Sequence, residues 1–246
     1  GNYIGVDPSN TPNGNDGAGI EVRQADAILI DANYMSNNGS HGVFTEGEGG
    51  KDVSNIIISN NFCGVGADGI SMMGNGVIAP STFQSGSGII VVNTDGVQIT
   101  NNVSCNSLSE YGIGFVQCVG TLICSGNYVG TDLSGTLQMG NHQGGIVIQE
   151  NTNDVEIIDN VVAYNFNNTT AAADTPSGVS LGGIAIVDQS NGNLISQNSV
   201  FCNDGLGIDL EGGGNGGIAT PTITGINGTS IEGTASGAVK VEIFLN

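Results

Sequence analysis

Asp209 and Glu211 alternate with Ile208 and Leu210 in the stretch "GIDLEG". On a strand both carboxylates project from one face, about 6.8 Å apart by the strand rise. That separation suits an inverting glycoside hydrolase, in which one acid protonates the leaving group and the other activates water. The equivalent outward positions one repeat earlier are Ala185 and Val187, which add no supporting acid, so solvated acids near an open end are the competing reading. A lyase or epimerase acting on a polyuronate needs a cation for the enolate-like intermediate and a base of suitable pKa. The basic side chains are Arg23, Lys51 and Lys240, too scattered to meet in one repeat. His41 and His142 each precede a "GV" or "GGI" turn and read as surface turn residues. No Ser-His-Asp spacing is legible. Asp7 and Asp132 occupy equivalent places in "GNYIGVD" and "GNYVGTD" and are the candidate ligands of a structural Ca²⁺. Neither lies in a D-x-D-x-D-G loop.

Charge narrows the partners. Against 3 Lys plus Arg stand 23 Asp plus Glu, a formal charge of −20 over 246 residues. Such a chain cannot neutralise a run of phosphates, which excludes nucleic acid, and it is repelled by anionic membrane surfaces. A strongly acidic surface suits a secreted or cell-surface protein. No apolar run is long enough to cross a bilayer, so no membrane insertion is expected. Glycine accounts for 42 residues, which would point to disorder if apolar groups such as Ile56-Ile57-Ile58 and "GIIVV" did not recur so regularly. The five cysteines, Cys63, Cys105, Cys118, Cys124 and Cys202, match no zinc spacing. Cys118 and Cys124 are near enough in sequence to bridge a turn. The abrupt start inside a "GNY" motif reads as a piece of something longer.

The elements that would position these residues come from a repeat. Asn2, Asn33, Asn61, Asn102, Asn127, Asn160 and Asn198 form one column, each in an "N-x-apolar" setting apart from small variations. Ile20, Val43, Ile89, Ile113, Ile146, Ile184 and Ile208 form a second, each after Gly. From that Ile to the next Asn the spacings are 13, 18, 13, 14, 14 and 14, whereas from Asn forward to Ile they run from 10 to 28. Nearly fixed length on one side and insertions on the other are the mark of stacked units with loops on one face. Apolar residues alternate in short runs such as Ile146/Ile148 and Val155/Ile157, which is strand periodicity. The fold class is therefore all-β: a right-handed single-stranded parallel β-helix of about seven coils, roughly 34 Å long at 4.8 Å per coil. The Asn column should form a structural ladder at a sharp inner bend, each amide bonded to the next.

Two regions depart from the pattern. On one outer sheet face the polar residues expected give way to Ile90, Val92, Val116, Val147 and Val187. This contact stripe is either covered by the insertions 71–88 and 163–183, through Met72, Met73, Phe83 and Tyr164, or meets a partner. The β-helix should occupy 1–218. Residues 219–246, with alternating "TIT", "SIEG" and "VKVEIF", form a C-terminal cap or the start of a truncated β-sandwich-like module.

"GNYIGVD", "GNYVGTD", the recurring "GI", and "NSVFCNDGLGIDLEGGGNG" followed by "ATPTITGINGTSIEGTASGAVKVEIFLN" resemble bacterial secreted or cell-surface right-handed parallel β-helix repeat proteins. That resemblance covers essentially the whole chain. It implies a non-catalytic structural or adhesive segment at an extracellular location. Its partners would be a surface glycan, a protein or neighbouring modules of a longer chain. The alternative is a carbohydrate-active β-helix, a polysaccharide lyase or glycoside hydrolase, or a carbohydrate-binding module.

Overall fold

The computed structural model describes residues 1–47, 53–76, 86–166, 181–219 and 222–235. The short alternating runs form strands that recur in a fixed order of three, each pairing in parallel with its equivalent one coil away. Sheet one has seven strands, from Tyr3–Ile4 to Ser199–Phe201. Sheet two has seven, from Ile20–Arg23 to Ile208–Leu210, and sheet three has six, from Leu29–Asp31 to Leu194–Ser196. The result is a parallel β-helix of seven coils.

The register puts like over like. In sheet two Ile20 pairs with Val43, Val43 with Ile89, and Ile89 with Ile113. Ile113 then pairs with Ile146, Ile146 with Ile184 and Ile184 with Ile208. Sheet three contributes the column Ile30, Ile58, Ile99, Cys124, Ile157 and Ile195. Sheet one contributes Ile4, Met35, Cys63, Ser104, Val129, Val162 and Val200. These columns fill one continuous apolar lumen, and each fully buried aliphatic side chain stabilises the fold by about 1.5–3 kcal/mol. Ser104 is the polar exception, and its hydroxyl donates to the Gly112 carbonyl at 2.6 Å.

The corner from sheet three into sheet one needs a residue in the left-handed region. Ala32, Asn60, Asn101, Gly126, Asp159 and Gln197 supply it, with φ between 56° and 66°. Each immediately precedes a column Asn, so the chain reverses and then turns its amide inward.

Loops leave the corner between sheets one and two. In coils one, three and five a small hairpin projects there, closed by Asn13, Met73 and Met139 N–H groups donating to the Gly5, Gly64 and Gly130 carbonyls. The hairpins of coils one and three reach across the short corner of coil two, where Asn10 Nδ2 donates to Asp68 Oδ2 at 2.7 Å.

All five cysteines are free thiols. Cys118 and Cys124 do not bridge, because each has a place of its own: Cys118 Sγ donates to the Val91 carbonyl at 3.3 Å, and Cys124 Sγ accepts from Asn127 Nδ2 at 3.5 Å. Burial pushes both thiols up, to about 11 and about 12. They serve as small apolar filling. Beyond the last coil, Thr222–Asn227 and Ser230–Thr234 form an antiparallel hairpin that pairs with itself and is exposed on nearly every side chain. The "VKVEIF" strand of the sequence reading lies outside the described residues.

Candidate functional site

The sequence column of Asn residues is a hydrogen-bonded ladder. Asn2 Nδ2 donates to Asn33 Oδ1 at 2.8 Å, Asn33 to Asn61 at 3.0 Å and Asn61 to Asn102 at 3.0 Å. Asn102 donates to Asn127 at 3.0 Å, Asn127 to Asn160 at 2.9 Å and Asn160 to Asn198 at 2.9 Å. Every backbone N–H from Asn2 to Asn160 donates to the same oxygen as its side chain. From Asn61 on, the amide also reaches back to a carbonyl of sheet three, such as Ile99 from Asn127 at 2.9 Å. The corner's buried polar groups are thereby satisfied.

A second ladder, at the corner between sheets one and two, escaped the sequence reading. Asn15 donates to Asn38 at 2.9 Å and Asn38 to Asn75 at 3.1 Å. Further down, Asn141 donates to Asn165 at 2.8 Å and Asn165 to Asn203 at 2.9 Å. Ser107 holds the place between the two halves. Its N–H donates to Asn141 Oδ1 at 3.0 Å, while its hydroxyl turns away to the Glu110 carbonyl at 2.8 Å. A signal existed: Asn15, Asn38, Asn141 and Asn203 each stand five residues before the Ile or Val of the second column.

Beside this corner three polar residues from coils two, three and four come together. His41 is buried rather than on a surface turn, its ring stacked on Phe44 at 5.1 Å between centroids. Its Nδ1 accepts from the Ser87 backbone N–H at 3.0 Å and lies 3.8 Å from Glu110 Oε2. Ser87 Oγ donates to Glu110 Oε2 at 2.8 Å. Ser, His and Glu are thus adjacent but not wired as a nucleophilic triad, in which the imidazole would accept the hydroxyl proton. Burial lowers the His41 pKa to about 4, so the ring is neutral near pH 7.

Arg23 lies on the outer face of sheet two and is paired with Glu21 and Glu46 over the Phe44 ring. Its charge is committed to those acids. Lys51 and Lys240 lie outside the described residues.

Asp209 lies on the outer face of the last strand of sheet two, Ile208–Leu210, and Glu211 follows that strand directly. Asp209 is not solvated. It is 6% exposed, and its Oδ2 has no hydrogen-bond partner. Burial pushes its carboxyl above the ordinary range, opposed by the nearby Leu210 N–H and the Glu211 side chain. A carboxyl whose pKa is raised by burial beside a second carboxyl is the kind of group that serves as a general acid.

Asp7 and Asp132 sit in hairpins of coils one and five, so they do not share a site. Asp7 Oδ1 accepts from the Ser9 and Thr11 N–H groups at 2.8 Å each. Asp132 Oδ1 accepts from the Ser134 hydroxyl at 2.9 Å and from the Thr136 and Leu137 N–H groups at 3.2 and 3.1 Å. Asp68, missed in the sequence because it is displaced by two residues, does the same for coil three, and bonds led by Ser71 hold its carboxyl down to about 2. These aspartates close turns. Among the described residues no group of three or more His, Cys, Asp or Glu is placed to hold a metal ion.

The apolar stripe is buried within the chain and does not form an open contact face. Ile90 and Val116 are 8% exposed and Val147 and Val187 at most 1%, with Val92 half-buried. Tyr111 and Leu181 join Val147, Ala185 and Val187 in one cluster. Two of the expected cover residues act elsewhere. Met72 is 62% exposed, and Tyr164 packs edge-on against Phe201 at 5.7 Å. Met73 closes its hairpin, and Phe83 lies outside the described residues. On the outer face of sheet one Tyr3, Tyr34 and Phe62 stack in turn, with centroids 5.2 and 4.7 Å apart. Tyr34 is covered on both faces by its neighbours, whereas Tyr3, at the end of the stack, is 47% exposed.

No protein-family model matches the chain. No curated protein matches it either. Among solved structures it is similar to the periplasmic alginate epimerase AlgG, at 13% identity and a TM-score of 0.38. That alignment covers 80% of this chain and 49% of the epimerase, so the chain spans about half the length of the protein it matches. The fold assignment stands on the three parallel sheets and their register, independently of this likeness.

Proposed function

We propose that this chain is a rigid, non-catalytic β-helical segment of an extracellular or cell-surface protein, acting as a spacer and adhesive stalk. The observation that carries this reading is the use of the buried polar side chains. Two Asn corners spend them on bonds between coils, where they stiffen the axis and converge on no reacting atom. The sheet cation, Arg23, is held by two acids, and the Ser87–His41–Glu110 group has its hydrogen bonds directed to structure. A charge of −20 keeps such a rod soluble. The test is a panel of neutral and acidic polysaccharides, assayed for new reducing ends and unsaturated products, beside an adhesion assay with cells displaying the chain. Adhesion without turnover is the expected result.

One observation favours a second reading, a carbohydrate-active β-helix. Asp209 is buried, its carboxyl raised, and the Glu211 side chain lies beside it. A raised carboxyl next to a second carboxyl is what the acid of an acid/base pair needs. Depolymerisation that disappears in Asp209→Asn would replace the spacer reading with this one.

A further inference from the structure

His41, Ser87 and Glu110 join three consecutive coils through one chain of bonds. His41 Nδ1 accepts from the Ser87 backbone N–H at 3.0 Å, and the Ser87 hydroxyl donates to Glu110 Oε2 at 2.8 Å. That same Oε2 lies 3.8 Å from His41 Nδ1. Ser87 is 0% and His41 6% exposed, so water does not stand in for either bond. Ser87 comes two residues before the coil-three strand of sheet two, Ile89–Val92. The backbone bonds around it have other partners. The Ser87 carbonyl accepts from the Gly42 N–H at 3.1 Å, and the Gly88 N–H donates to the Tyr111 carbonyl at 3.0 Å.

An acceptor at Nδ1 exists only on the neutral ring, because an imidazolium carries N–H on both nitrogens. A proton added at Nδ1 sets two donors head to head, 3.0 Å apart, where one bond stood. The acceptor near the new N–H is Glu110 Oε2, and a shift of about 1 Å brings it to charge-assisted bonding distance. Taking that oxygen draws on the acceptor that the Ser87 hydroxyl uses. Ser87 is then left in a buried place with its N–H unpaired, which is costly. Among the described residues the acids facing the ring are Glu110 from coil four and Glu21 from coil one, and burial opposes their pull on a proton. Arg23 lies over Phe44, the ring on which His41 stacks, and is paired with Glu21 and Glu46.

We propose that His41, Ser87 and Glu110 form an acid-operated latch, closed while the imidazole is neutral and opened by one proton from solvent. Closed, it ties the start of the coil-three strand to coils two and four. Opened, the Ser87 N–H leaves His41, Nδ1–H turns to Glu110, and water reaches this corner while the Asn ladders and the lumen stay intact. Opening is favoured as pH falls, because the proton binds more readily once water reaches the ring. The ring's pKa is about 4 when closed in and 6.5 when solvated. This inference does not depend on whether the rod is a spacer or acts on glycans.

Amide hydrogen exchange of the full chain, corrected for the intrinsic rate at each pH, tests it. Protection of the Ser87 amide should fall at least about tenfold between pH 7 and pH 5. A local opening exposes little surface, so dilute denaturant should leave Ser87 exchange unchanged while it speeds exchange at Ile113, midway along the stack. In His41→Gln the side-chain oxygen can accept from the Ser87 N–H at any pH, and the acid-dependent loss should disappear. Nitrogen chemical shifts of the wild-type imidazole supply a measurement free of substitution: Nδ1 should be unprotonated at pH 7 and gain its proton as Ser87 protection falls. Ser87 protection equal at pH 7 and pH 5, an acid response kept in His41→Gln, Ser87 and Ile113 exchanging with one denaturant dependence, or Nδ1 protonated at pH 7 would each overturn the proposal.

Discussion

The two inner corners solve the same problem with different strictness. At the corner leaving sheet three, seven Asn residues run without interruption, and the spacing from the preceding Ile stays between 13 and 18. At the corner leaving sheet one, Ser107 breaks the column, hairpins project in alternate coils, and a buried imidazole packs alongside. The first uses a left-handed residue before the inward amide in every coil from Ala32 before Asn33 onward, whereas the second does so only where no hairpin projects, as at Cys202 before Asn203, and not at Gly14, Gly74 or Gly140. The difference lies in what surrounds the amide. The first corner has sheet strands close on both sides, so a missing bond has no loop or water to replace it. The second opens into turns whose own backbone and side chains can take over.

Removing an amide from the strict corner should therefore have the largest effect. In Asn102→Ala the N–H and Nδ2 of Asn61 lose their acceptor, and the carbonyl of Ile58 loses a donor, all in a fully buried setting. With about 1–3 kcal/mol for each buried group left unsatisfied, the expected loss is about 4 kcal/mol. Denaturant unfolding measures it. Asn2→Ala, at the donating end of the same ladder, orphans no neighbouring Asn donor and removes only the Nδ2 bond to Asn33, so it should lose less than half as much. Equal losses at the two positions would mean that coils do not depend on their neighbours.

Acid should act next, through the loose corner. Burial lowers the folded pKa of His41 from 6.5 to about 4, with Glu110 at 3.8 Å and Glu21 the nearby acids. The neutral ring is favoured in the folded state, so its contribution is complete above pH 6.5 and declines as pH falls toward 4. At 1.36 kcal/mol per pKa unit the full effect is about 3 kcal/mol, of which about 2 kcal/mol is gone by pH 5. The turn-closing aspartates have pKa values lowered from an already acidic 3.8, so their losses begin below that range. His41→Gln should flatten stability between pH 7 and pH 5. A wild-type curve that is already flat there would place the imidazole in contact with water.

These contrasts also explain what could be read from the chain. The Ile and Asn columns were legible because side chains that face a lumen one residue wide must repeat at each coil. The second ladder was obscured by insertions. Asn38 follows Asn33 by five residues, but Asn141 follows Asn127 by 14, because a hairpin intervenes. Measuring backward from Ile, five residues in four of the coils, would have recovered it. His41 looked like a turn residue because sequence position says "corner" but not how thickly the neighbouring coils' loops pack against it. Likewise the outward Ile90 and Val147 showed that something was unusual about sheet two, yet their burial depends on long-range packing that has no period. The raised carboxyl of Asp209 was invisible for the same reason.

Restoring the broken ladder is a smaller test of the same difference. Ser107→Asn gives the second corner an amide able to continue the column between Asn75 and Asn141. A gain of about 0.5–1.5 kcal/mol is expected from the added buried bond, less whatever the lost Ser107–Glu110 turn bond contributes. A loss would show that the turn, not the ladder, sets the geometry of coil four.

The smallest effect concerns the left-handed backbone that the strict corner uses in every coil after the first. Ala32 holds φ 57° and Gly126 holds φ 66° at equivalent places one residue before the ladder. A Cβ in this region is crowded against the following carbonyl, whereas glycine enters it without strain but loses more freedom on folding. Ala32→Gly should therefore gain about 0.5–1 kcal/mol, since the side chain is exposed and deleting it opens no core. Gly126→Ala should lose more than that, because its Cβ would come within 2.5 Å of Asn101 Oδ1. Thermal unfolding of the two variants against the parent gives the sign directly. If both moved the same way, the left-handed turn would not be what the strict corner requires, and the inward placement of Asn33 and Asn127 would need another cause.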